Sequence, residues 1–264
     1  MRRIILGGDD IVSHLIIENL VKSRPGDEFL LHFDISRLGA NRSADLRRFY
    51  RLERGGLGRR LRERVDLPSY LSGANVKFFS GCDLNEKRVV DSLTDGCGEF
   101  SVVSVRCYQK LSPLTLAGLS RCGPVLNLHP GRLPKYRGVL TFAHAMIAGD
   151  KMLGWTLHDM NADWDAGPIR AVLEVPADYG SSVLANMINS SAHAASLVLK
   201  HWESPGVSLV QDESGAEYFT HLNAEQIEIL HSTGVSLCRL EEVRDAYCAL
   251  GLRLGRGDLE GISS

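Results

Sequence analysis

No two cysteines in this sequence stand two or three residues apart; they fall at 82, 97, 107, 122, 238 and 248. That spacing excludes a CxxC metal or redox motif, and the chain is too long for a disulfide-built scaffold. The expectation is six reduced thiols in or near a core. The histidines lack zinc spacing as well, so no metal is expected. Long apolar runs are missing: none approaches the ~20 residues a membrane span needs. The first residues, MRRIILGGDD, hold an apolar run of only four, too short for a secretory signal. The expectation is a soluble, cytoplasmic protein with no membrane partner. Charge of one sign is also absent. Thirty basic and 32 acidic residues leave a net charge of -2, so no global field draws in nucleic acid, and no nucleic-acid partner is expected. The Gly-x-Gly-x-x-Gly pattern is missing from the first strand–helix turn, LGGDDIV. Asp9 and Asp10 there would repel a pyrophosphate, which argues against a bound dinucleotide.

What is there is a 264-residue chain, 44% apolar, enough to fill one large core. Short apolar runs alternate with amphipathic stretches. Residues 3–7, Glu28 to Phe33, Val76 to Phe79, Phe100 to Val105 and Val125 to Leu128 read as strands. Helices are predicted from Asp10 to Ser23, with Asp9 or Asp10 as cap, from about Asn85 to Leu93, and from Pro113 to Ser120. This alternation predicts an α/β fold, Rossmann-like, with a mostly parallel twisted sheet and helices on both faces. Further on, Thr141 to Ala148 reads as a short helix, Leu153 to His158 and Ile169 to Val175 as strands, and Val183 to Trp202 as one long helix. The pattern breaks near residue 205. The predicted division is a main domain over 1–205 and a small C-terminal appendage over 206–264, with a hairpin from Val207 to Val210 and Glu217 to Thr220.

The stretch from Arg42 to Arg64 holds nine arginines against three acids, with glycines at 55, 56 and 58. Arginine forks suit phosphate, so a clamp for a phosphorylated substrate is one reading. A solvated surface excursion is the other, and it is slightly favoured here.

The chemistry centres on NLHPGRLPKYRG, residues 127–138. Residues i and i+2 of a strand share a face. Asn127 and His129 therefore project together at the carboxyl end of the fifth strand, where ligands sit in open α/β sheets. Asn offers a neutral donor to a developing oxyanion, and His a proton carrier near neutrality. On these two residues alone an ordinary polar strand end is an equal reading. Downstream, GWTLHDMNADWDAGPI (154–169) places Asp165 in a loop after a strand, where it can meet His129 and stabilise its charged form.

Asn-x-His-x-x-x-Leu-Pro-x-Tyr-Arg-Gly, followed by Gly-x-Thr (154–156) and Asp-x-Gly-x-Ile (165–169), resembles the formyltransferase family that uses 10-formyltetrahydrofolate. The resemblance is strong over roughly residues 100–175. It implies an enzyme in which Asn127, His129 and Asp165 are the catalytic triplet: Asn127 and His129 stabilise the oxyanion, and Asp165 supports His129 and helps remove the amine proton. It implies a formyl-folate donor held by backbone of residues 107–111 and 159–165, with Tyr108, Gln109, Lys110, Leu111, Asp159, Asn161 and Asp163 as cofactor-binding positions. Tyr136, Arg137 and Gly138 are the implied substrate-binding residues. Family members often carry Ser where this chain has Gly131, and Pro and Trp where it has Thr141 and His144.

The acceptor is expected to be a small-molecule primary amine. Only 62 residues follow the long helix, which argues against the methionyl-tRNA branch with its C-terminal barrel. A nucleotide-linked amino sugar is the first expectation. Hydroxyornithine or a related amine in siderophore or natural-product biosynthesis is the alternative. An alternative of another class is a folate-binding module with little or no turnover. A homodimer through the appendage is also expected.

Overall fold

Residues 1–35, 42–95 and 101–255 are described by the computed structural model. The first half winds as β1 (Arg2–Gly8), α1 (Ile11–Ser23), β2 (Glu28–Asp34), α2 (Ala44–Arg54), α3 (Leu57–Glu63), β3 (Val76–Ser80), α4 (Lys87–Thr94), β4 (Ser101–Val105), α5 (Pro113–Ser120) and β5 (Val125–His129). The second half adds β6 (Arg137–Gly138), α6 (Thr141–Ile147), β7 (Met152–Asp159), β8 (Ile169–Pro176), α7 (Val183–Asn189), α8 (Ser191–Glu203), β9 (Tyr218–Phe219), α9 (Ala224–Ser232) and α10 (Leu240–Ala249). The main sheet has the order β3-β2-β1-β4-β5-β7-β8. Its first five strands run parallel, and β7 and β8 are antiparallel additions. The expected mostly parallel α/β sheet is what the chain forms.

Strand alternation explains the two layers. Ile5, Leu31, Phe33, Val103 and Leu126 face the larger core, packed by α1, α6, α7 and α8. Ile4, Leu6, Leu30, Val102 and Val125 face the other side, against Val90 and Leu93 of α4 and Leu116 and Leu119 of α5. Each such side chain contributes about 1.5–3 kcal/mol on burial. The winding reverses between β1 and β4, so the carboxyl ends of these strands open a crevice. Asp10 fills the α1 N-terminus by accepting from Ser13 N at 3.0 Å.

Several elements differ from expectation. The fourth strand is described from Ser101, and Phe100 lies outside the described residues. The long helix is two: Ser190 separates α7 from α8, its hydroxyl accepting from Trp155 Nε1 and donating to the Asn186 carbonyl. Among the described residues the tail forms no hairpin. Leu209 bridges to Ile169, and Tyr218–Phe219 pairs parallel with Arg137–Gly138. The arginine-rich stretch is no solvated excursion. Leu46, Phe49, Tyr50, Leu52, Leu57 and Leu61 are buried. Tyr247 of α10 closes over α2, donating to the Glu53 carbonyl at 3.2 Å. Cys82, Cys107, Cys238 and Cys248 are free thiols, while Cys122 is disulfide-bonded, a departure from the reduced set expected. Among the described residues no helix is long and apolar enough to cross a membrane.

Candidate active site

Asn127 and His129 leave the same face of β5 at its carboxyl end, as the i, i+2 spacing requires. Register places His158 of β7 opposite Asn127 and Thr156 opposite His129. Thr156 braces the loop that follows: its hydroxyl donates to the Gly131 carbonyl at 2.6 Å and accepts from Leu133 N at 3.1 Å. Asp165 arrives from the β7–β8 loop with φ of 54°, in the left-handed region that Asp tolerates better than most residues. Gly138 N donates to Asp165 Oδ2 at 2.9 Å. Gly138 itself has φ of 98° and a β-carbon there would meet the Phe219 carbonyl, so only glycine delivers that amide.

The three side chains converge. His129 Nδ1 lies 3.3 Å from Asp165 Oδ1, and Asn127 Nδ2 donates to the same oxygen at 3.3 Å. His158 Nδ1 hydrogen-bonds the Asp159 carbonyl at 2.8 Å. A carbonyl only accepts, so that nitrogen carries the proton and His158 Nε2 accepts from Asn127 Nδ2 at 3.1 Å. By the same logic His129 Nε2, 2.6 Å from the Tyr136 carbonyl, carries a proton. Gly131 permits this contact, because a β-carbon there would sit 2.6 Å from both His129 Nε2 and the Tyr136 oxygen.

Electrostatics separate the two partners. Burial is the largest influence on Asp165 and raises its carboxyl, but His129, His158 and the Gly138 amide together hold it down to about 2. Burial also dominates at His129 and pushes its pKa below the ordinary 6.5, against the pull of Asp165. At neutral pH the pair is a carboxylate beside a neutral ring whose Nδ1 lone pair faces it. The arrangement is ready to take up one proton.

Two spaces meet at this cluster. A narrow cleft is lined by Lys110, Leu111, Met160, Asn161 and Asp163. A cavity of about 520 Å³ opens on the other side, with apolar walls from Phe49, Leu128, Phe142 and Met187 and a cationic end at Arg42, Arg54 and Arg106. Asn127, Trp164 and Asp165 border both. Arg106 and Leu140, which line the cavity, also hold positive φ, at 56° and 53°. Arg106 is held by Asp10 at 3.0 Å and Glu53 at 2.5 Å. Burial raises the Glu53 carboxyl; Arg106 opposes this, Asp10 and Asp9 add to it, and the result is about 7.

The remaining expected residues divide. Lys110, Leu111, Asn161 and Asp163 border the cleft. Tyr108 lies on the cavity, its hydroxyl donating to Asp10 at 2.9 Å. Gln109 turns to Asp34 and the Cys82 carbonyl, and Asp159 pairs with Arg170 at 3.0 Å. Of Tyr136, Arg137 and Gly138, only Gly138 borders the cavity. Tyr136 is buried, with its hydroxyl on Asp150, and Arg137 is bound by Gln211 and Glu213. Sequence reasoning missed Gln211, a buried tail residue whose amide donates to the carbonyls of Asp165 (2.8 Å) and Gly167 (2.7 Å). No motif announces it. It missed α2 as a cavity wall too, although Leu46, Phe49, Tyr50 and Glu53 stand at helical spacing. Among the described residues no cluster of His, Cys, Asp or Glu is arranged to hold a metal.

Residues 73–200 match the family model described as formyl transferase. A methionyl-tRNA formyltransferase of Thermus thermophilus is 28% identical over 160 residues, covering 60% of this chain and 51% of that one. The chain spans about a third to a half of the length of the curated relatives it matches. Two solved structures share the fold. A sugar N-formyltransferase from Shewanella has a TM-score of 0.54 at 17% identity, over 94% of this chain and 88% of that one. An N-formyltransferase from Helicobacter canadensis, in complex with folinic acid and dTDP-3-aminofucose, has a TM-score of 0.53 at 14% identity, over 88% of this chain and 79% of that one.

Proposed function

We propose, from the match of residues 73–200 to the formyl transferase family model, that this chain moves a formyl group from 10-formyltetrahydrofolate to a primary amine, with a nucleotide-linked amino sugar as acceptor. The observation that carries the reading is the meeting of two spaces, cleft and cavity, at Asn127 and Asp165. A group-transfer site needs two substrates brought to one point. The lining of the cleft has the chemistry for a folate: Leu111, Met160 and the 41% exposed Trp164 offer apolar walls to a flat ring, and Lys110 suits its carboxylates; at about 40 Å³ the cleft has to widen to admit that ring. The Helicobacter neighbour, which binds folinic acid and an amino sugar on a nucleotide, supports the same division.

The bound folate supplies the formyl group: the amine nitrogen bonds to the formyl carbon, that carbon's bond to the folate nitrogen breaks, and the proton lost by the amine is returned through Asp165 and His129 to that nitrogen as tetrahydrofolate leaves. Asn127 Nδ2, whose two hydrogens rest on Asp165 Oδ1 and His158 Nε2, turns the longer of these bonds from Asp165 to the formyl oxygen as negative charge develops there. Asp165 stays ionised and draws the proton that the amine loses on attack. His129 Nε2 is already spent on Tyr136, so the proton seats on Nδ1, between ring and carboxylate. Gly138 N and the Gln211 contact to the Asp165 carbonyl keep that carboxylate in place.

A mass-spectrometric assay tests the reading. The protein is incubated with 10-formyltetrahydrofolate and a panel of nucleotide-linked amino sugars, hydroxyornithine, ornithine, free amino acids and methionyl-tRNA. A sugar product heavier by one formyl group is expected. A product only from an amino acid or from methionyl-tRNA moves the acceptor to that class, and no product from any amine sinks the transfer reading.

A further inference from the structure

The cationic end of the cavity contains donors that the transfer chemistry leaves unused. Arg106 is neutralised by Asp10 and Glu53. Arg42 and Arg54 are different. Arg54 has Asp9 at 3.7 Å, too long for a hydrogen bond, and its buried Nε has no hydrogen-bond partner. The buried Nη1 of Arg42 has none either. Both guanidinium groups stack over the ring of Tyr50, at 4.5 and 5.1 Å from its centroid. Tyr50 is fixed in turn by its hydroxyl on His221 Nδ1 at 3.0 Å. All four residues line the cavity that also reaches His129 and Asp165. The flat faces of the two arginines are thus occupied by one aromatic ring, while N–H donors at their edges are unspent. A guanidinium carries five donors and no acceptor, and its fork matches the oxygens of phosphate and carboxylate. Leaving such donors buried and unpaired costs free energy that an anion would recover.

We propose that Arg42 and Arg54, stacked on Tyr50, form an anion subsite for the acceptor: they hold a phosphate or carboxylate group on the same molecule whose amine reaches Asp165. The acceptor's amine rests on the formyl-transfer reading; its anion does not. The apolar walls at Phe49, Phe142 and Met187 then take the part of the molecule between the two ends.

Calorimetric titration of the full chain separates the two claims. The probes are inorganic pyrophosphate, a nucleoside diphosphate without a sugar, and glutarate, with folinic acid titrated in parallel. At least one anion is expected to bind. Arg42→Gln and Arg54→Gln should each weaken it about 10-fold or more, as loss of a charged hydrogen bond does, and folinic acid binding should change less than about 2-fold. Binding of pyrophosphate and the nucleotide but not glutarate assigns a phosphate; the reverse assigns a carboxylate. Arg54→Lys keeps the charge but loses the fork, and should weaken binding too. With Arg42→Gln, it carries the test if Arg54→Gln fails to fold. The proposal is overturned if no anion binds, or if the substitutions leave affinity unchanged. Folinic acid failing to bind while the anion behaves as expected would remove the transfer reading and leave the subsite standing.

Discussion

Asp165 and Glu53 are both buried carboxylates beside a cationic or ionisable partner, and they are pushed in opposite directions. Asp165 receives the Gly138 amide and the Asn127 amide and has two imidazoles close by. Glu53 has Arg106 on one oxygen, no partner on the buried other, and Asp10 and Asp9 nearby. Burial raises both carboxyls. The number of donors decides which one overcomes it. A buried carboxylate ringed by donors stays ionised well into acid; one sharing a single arginine with another acid gives up its charge as pH falls through about 7.

The hardest blow to this comparison falls on chemistry. His129→Ala or Asp165→Asn should lower formyl transfer by about 10²–10⁴-fold with far-ultraviolet dichroism unchanged; transfer near the wild-type rate by either would refute the proton path. Next comes Glu53→Gln. The folded carboxyl, near 7, lies above the ordinary glutamate value of 4.5, so the folded state binds more protons between these values and stability falls as pH rises through them. The stability difference between wild type and variant should fall by about 3 kcal/mol across this window, read from urea midpoints; buried histidines such as His14, lowered to about 4, titrate in both proteins and cancel in that difference. Asp165 has the reverse sign. Its folded value of about 2 lies below the ordinary aspartate value of 3.8, so its contribution is present above about 3.8 and is lost as pH falls towards 2. Asp165→Asn should remove about 2 kcal/mol of that acid-limb loss; an unchanged acid limb would mean that the carboxylate is not held low. Gly131→Ser brings a β-carbon within 2.6 Å of His129 Nε2 and the Tyr136 oxygen. It should cost about 1–3 kcal/mol, read by urea denaturation. The smallest effect is set for Gln211→Ala, about 1–2 kcal/mol from unpairing the Asp165 and Gly167 carbonyls. Its kcat should fall with KM nearly unchanged if the contact positions Asp165 and nothing else.

The two regions were unequally legible. Asn127, His129 and Asp165 could be brought together on paper because strand spacing fixes the first two and a loop motif the third. The alternating layers followed from periodicity alone. Glu53 and Arg106 lie 53 residues apart, and Gln211 reaches Asp165 across 46. No local pattern encodes such pairs; only packing joins them. The arginine count hid α2, because the eye weighs charge before it counts the spacing of Leu46, Phe49 and Tyr50. The expected hairpin failed for a related reason. Two short apolar runs separated by turn residues resemble a hairpin, yet Leu209 and Tyr218 find better partners in Ile169 and Arg137.

Arg106, Leu140 and Asp165 stand around one cavity with their main chains in the left-handed region, where non-glycine residues seldom settle. Main chain, not side chain, draws the outline there. Such a rim gives an engineer a fixed frame with exchangeable panels. Phe49, Phe142 and Met187 can be swapped to change what the cavity admits while the bends that aim Asp165 stay where they are.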